Sequence, residues 1–154
     1  MNYRKTGLLV ALAAVCLTPL GASAQEAIAI KTKTGTIGAA PAGKAQIVFW
    51  RPGTIIGGAL GCTVREGDAE VSRLGAGKYW VHVTDPGKHA YSSRGEKTDT
   101  LNMELEDGET YFVRCSIGGG VMVGGAQISP VERAEFEKRA KKMTSWKGPG
   151  DGKD

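Results

Sequence analysis

Apolar and polar residues alternate with a period of two along most of the chain. Tyr79, Val81 and Val83 alternate with Trp80, His82 and Thr84, and Leu101, Met103 and Leu105 alternate with Thr100, Asn102 and Glu104. Successive side chains of a strand point to opposite faces, so the pattern predicts strands with two unlike faces. The same alternation predicts strands over 45–51, 60–66, 69–74, 78–84, 88–93, 100–105, 110–117 and 121–129. In the first of these Ile47 and Phe49 lie on one face and Val48 and Trp50 on the other, as expected of a strand covered on both sides. Turn chemistry separates the runs. Gly67-Asp68 suits a two-residue hairpin. Pro86-Gly87 combines a fixed φ with a residue that tolerates positive φ, and predicts that residues 78–93 form one hairpin. Asp107-Gly108 marks a further reversal.

The period changes after residue 129. Ser129-Pro130-Val131-Glu132 has the form of a capping box with Pro at the first helical position. Glu132, Glu135 and Glu137 precede Lys138, Arg139, Lys141 and Lys142, which complements a helix dipole. Phe136, Ala140 and Met143 form a narrow apolar stripe. These features predict a helix over 130–143, with Glu135–Arg139 and Glu137–Lys141 pairs one turn apart. Residues 144–154, with Gly148-Pro149-Gly150, read as a disordered tail. Residues 25–44 read as an extended lead-in with an edge strand near 27–31. Short strands at regular spacing predict an antiparallel β-sandwich or barrel over 45–129, followed by one C-terminal helix.

The first residues alter this picture. Arg4 and Lys5 precede an apolar run from Gly7 to Leu20, and Ala22-Ser23-Ala24 follows. That is the order of a secretory signal peptide, predicting that residues 1–24 are removed and that the rest is periplasmic or secreted. A lipid-anchored product is the alternative, although Val15 precedes Cys16 where a lipid-modified cysteine wants a small residue. The remaining 130 residues suit one domain. Without Arg4 and Lys5 the formal net charge falls from +4 to +2. So small a charge makes no electrostatic case for nucleic acid. No later segment is long and apolar enough to cross a membrane as a helix.

Two cysteines remain, Cys62 and Cys115. Each lies on the apolar face of its strand, with Leu60 and Val64 or with Val113 and Ile117. An oxidising compartment favours one disulfide between them; two separate buried thiols are the alternative. Searches for catalytic spacing give little. Gly75-Ala76-Gly77-Lys78 lacks the P-loop spacing, and no His-Glu-x-x-His, Cys-x-x-Cys or Gly-x-Ser-x-Gly occurs. No cofactor is implied. If Asp85 pairs with Lys88 in a hairpin, His82 and His89 fall diagonally on one face beside Trp80 and Tyr91, a weak candidate for a metal or small-ligand patch. Alternating strand directions gather the short turns at one end and the longer Gly-rich loops at the other. Ile55, Ile56, Val121 and Met122 would then form an apolar binding rim at the loop end, unless they continue strands into the core.

Four local motifs recur in one known family. Arg51-Pro52 follows an aromatic strand. Leu74-x-x-Gly77-x-Tyr79, Pro86-Gly87-Lys88-His89 and Leu105-x-x-Gly108-x-Thr110-Tyr111-Phe112 follow in order. Over residues 44–129 the chain resembles the bacterial domain of unknown function 2846. The resemblance implies a small secreted or lipid-anchored β-sandwich, similar in build to immunoglobulin- or transthyretin-like domains. It brings no catalytic residues. The expectation is a non-catalytic envelope module with a binding or structural role, whose partner is an envelope protein or a surface polymer. A small-ligand or metal carrier using His82 and His89 is the alternative.

Overall fold

The computed structural model describes residues 29–54, 60–94, 98–118 and 125–148. Eleven strands and one helix occur among them: β1 (Ile30–Lys31), β2 (Thr36–Ile37), β3 (Ala45–Trp50), β4 (Cys62–Glu66), β5 (Ala69–Leu74), β6 (Lys78–Thr84), β7 (Gly87–Arg94), β8 (Thr98–Leu105), β9 (Thr110–Ile117), β10 (Ala126–Val131), α1 (Arg133–Ala140) and β11 (Thr144–Ser145). They build two facing sheets, ordered β10-β9-β3-β6-β11 and β5-β4-β7-β8. Most pairs are antiparallel, but β3 runs parallel to β9 and β11 parallel to β6. The fold is mainly β, a sandwich with one C-terminal helix, as the alternation predicts.

The core lies between the sheets. Ile47 and Phe49 of β3 and Val113 and Cys115 of β9 meet Cys62 and Val64 of β4, Leu74 of β5 and Tyr91 of β7. The period-two reading places these residues correctly because burial of alternate apolar side chains is what holds two sheets together. A second apolar cluster covers the outer face of the five-stranded sheet. There Val48, Trp50, Tyr79 and Phe112 pack against Phe136, Ala140 and Met143 from the C-terminal segment and Ile30 and Ile37 from β1 and β2. The molecule therefore has three layers, and β3 is buried along its whole length.

Three expectations need correction. First, residues 78–93 are not a hairpin: β6 pairs with β3 and β11, whereas β7 pairs with β4 and β8. Asp85-Pro86 turns a corner from one sheet to the other. A reversal within a sheet and one between sheets demand the same local chemistry, so the turn residues could not distinguish them. Second, the helix does not begin at residue 130. Ser129 and Pro130 belong to β10, where Pro130 is tolerated because β10 is an edge strand. Glu132 is the N-cap and makes no side-chain cap bond. The expected helix pairs give way to Arg133–Glu137 and to Arg114–Glu135, which ties α1 to β9. Third, the segment from residue 144 is not a disordered tail throughout. Thr144 and Ser145 pair with Lys78 and Tyr79, and Trp146 is buried with its ring edge-on to Trp80 at 5.2 Å.

Different contacts hold the two ends of the sandwich. Lys44 accepts a backbone bond from Gly108 and forms an ion pair with Asp85, drawing the short turns together. At the opposite end Arg51 is fully buried. Its backbone exchanges bonds with Lys78 and Gly77, and its guanidinium donates to the carbonyls of Leu60 and Leu74. One residue thus joins the β3 end to the start of β6 through its backbone, and to the approach to β4 and the end of β5 through its side chain. Arg51→Met should destabilise the protein by about 2–3 kcal/mol, because charge-assisted bonds are lost and buried carbonyls are left unpaired. Urea unfolding would measure it, and Arg51→Lys should recover only part of the loss because an ammonium cannot reproduce the planar fork.

Candidate functional site

The histidines meet by a route other than the expected hairpin. His82 lies on the inner face of β6 and His89 on the inner face of β7, so they approach across the sandwich interior rather than along one ribbon. Glu66, at the end of β4, stands between them. Its Oε1 lies 2.6 Å from His89 Nδ1 and its Oε2 3.9 Å from His82 Nε2. Tyr91 completes the group, its ring stacked on His89 at 5.9 Å and edge-on to His82 at 6.0 Å. Phe49 closes the apolar side, 5.2 Å from the Tyr91 ring.

Two short contacts hold the His89 ring in place. His89 Nε2 is 2.9 Å from the carbonyl of Asp85, which can only accept, so Nε2 carries a hydrogen. Its Nδ1 faces the Glu66 carboxyl at 2.6 Å. Those bonds pin the β6–β7 corner to the end of β4. Two buried polar atoms nearby make no hydrogen bond: His82 Nε2 and the Tyr91 hydroxyl oxygen. Burial pushes the Tyr91 hydroxyl well above the usual phenol range, with the Glu66 charge adding to it, so it is a poor base or nucleophile.

Burial also pushes the His82 imidazole below its ordinary value of 6.5; Glu66 opposes this and His89 reinforces it. In the unfolded chain His82 takes up a proton near pH 6.5, before it does in the folded one. Stability contributed by neutral His82 is therefore complete above that pH and is lost as pH falls from 6.5 toward the depressed folded value. The expected slope is at most about 1.4 kcal/mol per pH unit from this one group. Urea midpoints between pH 7 and 5 should fall less steeply in His82→Gln than in the parent; equal slopes would remove His82 as the cause.

Sequence reasoning singled out His82, His89 and Tyr91 but missed Glu66. The signal was present: Cys62, Val64 and Glu66 share the inward face of β4, and an inward carboxylate at a strand end implies a polar partner. Among the described residues no group of three or more His, Cys, Asp or Glu side chains has the arrangement to hold a metal ion. Beside the cluster an open groove of ≈ 470 Å³ runs over β7 and β8, lined by Lys88, His89, Ala90, Asn102, Met103 and Glu104. The expected rim residues Ile55, Ile56, Val121 and Met122 lie outside the described residues. Leu60, next to the Arg51 clamp at that end, is 49% exposed.

Cys62 and Cys115 form a disulfide, with Cα atoms 6.5 Å apart, joining β4 of one sheet to β9 of the other. Both cysteines are buried, as their alternation predicted. The fold therefore defines a class: a β-sandwich pinned across its two sheets by one disulfide and covered on one outer face by a helix. The family model described as "Protein of unknown function (DUF2846)" matches residues 41–126, and the chain belongs to that family. It is also 32% identical over 66 residues to an uncharacterized protein of Haemophilus influenzae; the match covers 42% of this chain and 39% of that protein. The chain thus spans about two fifths of that relative's length. No solved structure matches.

Proposed function

We propose that this chain is an exported β-sandwich module of the bacterial cell envelope, with a non-catalytic binding or structural role. The observation that carries the reading is the Cys62–Cys115 disulfide between the sheets. Such bonds persist in oxidising compartments and are rare in the cytosol. The leader-like order of residues 4–24 agrees with export. The inner-face histidines are used as a corner brace, and the Tyr91 hydroxyl is held protonated, which supports a scaffold rather than a reaction centre.

Cell fractionation followed by intact-mass measurement tests this. The expected product starts at Gln25, has both remaining thiols oxidised, and is found outside the cytoplasm. A full-length, reduced, cytoplasmic protein would overturn export, and a diacylglycerol adduct on Cys16 would replace free secretion with anchoring. The second reading, a metal carrier at His82 and His89, is favoured by His82 Nε2, which makes no hydrogen bond and faces Glu66. It requires His89 to give up bonds to Glu66 and Asp85. Zinc titration separates the two readings: stoichiometric micromolar binding that disappears in His82→Ala would establish the carrier.

A further inference from the structure

The second apolar layer brings together basic residues that lie over a hundred positions apart in sequence. Lys33 N–H donates to the Met143 carbonyl at 3.0 Å, and Ser145 N–H donates to Thr34 Oγ1 at 2.8 Å. The β1–β2 ribbon is thereby fastened against the end of α1. Lys31 and Lys33 on the ribbon, and Lys138, Arg139, Lys141 and Lys142 at the helix end, are all exposed. None of these six forms an ion pair among the described residues.

The acids of α1 do not neutralise them. Glu135 is held by Arg114 and Glu137 by Arg133, both toward the start of the helix. Lys138 and Lys141 are one turn apart on the side away from the buried Phe136 and Ala140. The helix dipole accounts for one or two cations in a last turn. It does not account for Lys31 and Lys33, which belong to a different element whose backbone bonds to Met143, just past the end of α1. Six unpaired cations in one region contrast with a net charge of +4 for the entire chain.

We propose that this patch, made jointly by the β1–β2 ribbon and the end of α1, docks the domain on an anionic phospholipid surface. Charge complementarity selects the occupant. The helix spends its apolar residues, Phe136 and Ala140, on the protein's own core, so the attachment is electrostatic and peripheral, without insertion. This proposal stands apart from the exported-module reading, since it depends on surface charge and not on compartment.

Each basic residue close to an anionic surface strengthens binding by about fivefold. The test is co-sedimentation of purified protein with vesicles of phosphatidylcholine, alone or with 30% phosphatidylglycerol. Binding to the anionic vesicles only, lost on raising salt from about 0.05 to 0.5 M, is the expected result. Lys138→Gln/Lys141→Gln/Lys142→Gln should lower the partition coefficient about a hundredfold. Lys31→Gln/Lys33→Gln should lower it about twentyfold with unchanged thermal stability. Equal binding to both vesicle types, or salt-insensitive binding, would overturn the proposal. A ribbon variant that binds like the parent would overturn the joint patch. Binding to soluble polyphosphate with none to anionic vesicles would overturn the lipid assignment.

Discussion

Cys62→Ala/Cys115→Ala should lose about 4 kcal/mol of unfolding free energy, the larger of the two main effects expected here. The bond closes a loop between residues 53 positions apart. On a chain-entropy account, removing a link of that span frees the unfolded ensemble by about 4 kcal/mol, within the usual 2–5 kcal/mol for a small exported domain. For a domain of this size the melting temperature should fall by about 10–15 °C. The bond also joins different sheets, so it resists their separation directly. Urea unfolding of the parent with and without dithiothreitol provides the comparison. Reduction should reproduce most of the double variant's loss. If a reducing agent leaves the midpoint where it was, the bond does not constrain the unfolded chain and this account is wrong.

Phe136→Ala should cost about 3–4 kcal/mol and release the outer layer. Phe136 is fully buried, with ring centroids 5.6 Å from Trp50, 6.0 Å from Tyr79 and 5.6 Å from Phe112. Truncating a buried phenylalanine removes transfer energy and leaves a cavity. A helix of eight residues has little stability of its own, so it depends on this contact to stay docked. The prediction is specific in space. Amide exchange should speed in α1, β1 and β2, while β4 and β7, which lie in the other sheet, keep most of their protection. Uniform loss of protection in both sheets would mean that the helix layer and the sandwich unfold as one unit. Phe136→Leu should retain more than half of the lost stability, since it restores much of the volume.

Much of the fold was legible from alternation because burial on one face imposes a period of two. Leu101, Met103 and Leu105, or Tyr111, Val113 and Cys115, could not be reversed without exposing a whole row of apolar side chains. The apolar faces on both sides of β3 foretold two covering layers. The pairing of β4 with β5 around Gly67-Asp68 was also legible, but the pairing of β6 and β7 was not. Asp85-Pro86-Gly87 was rightly a reversal, yet β6 and β7 separate into different sheets. His82 and His89 converge all the same, because both occupy inward positions and the sandwich brings opposite faces together. Ser129-Pro130 was misread as a cap because its local chemistry also fits the end of an edge strand. Trp146 sat among glycines, prolines and charges, and only the gap beside Trp80 explains its burial.

The sequence by itself determined the inward and outward sides of the central strands, the places of the turns, the burial of both cysteines and the apolar stripe of the helix. These follow from interactions between neighbours in the chain and from the need to remove apolar surface from water. Only the tertiary structure decided that Glu66 would stand between two histidines, that Arg51 would clasp the carbonyls of Leu60 and Leu74, and that Lys31 and Lys33 would join the basic end of α1. Such contacts depend on strand order and layer packing, which are properties of the whole chain and leave no local trace.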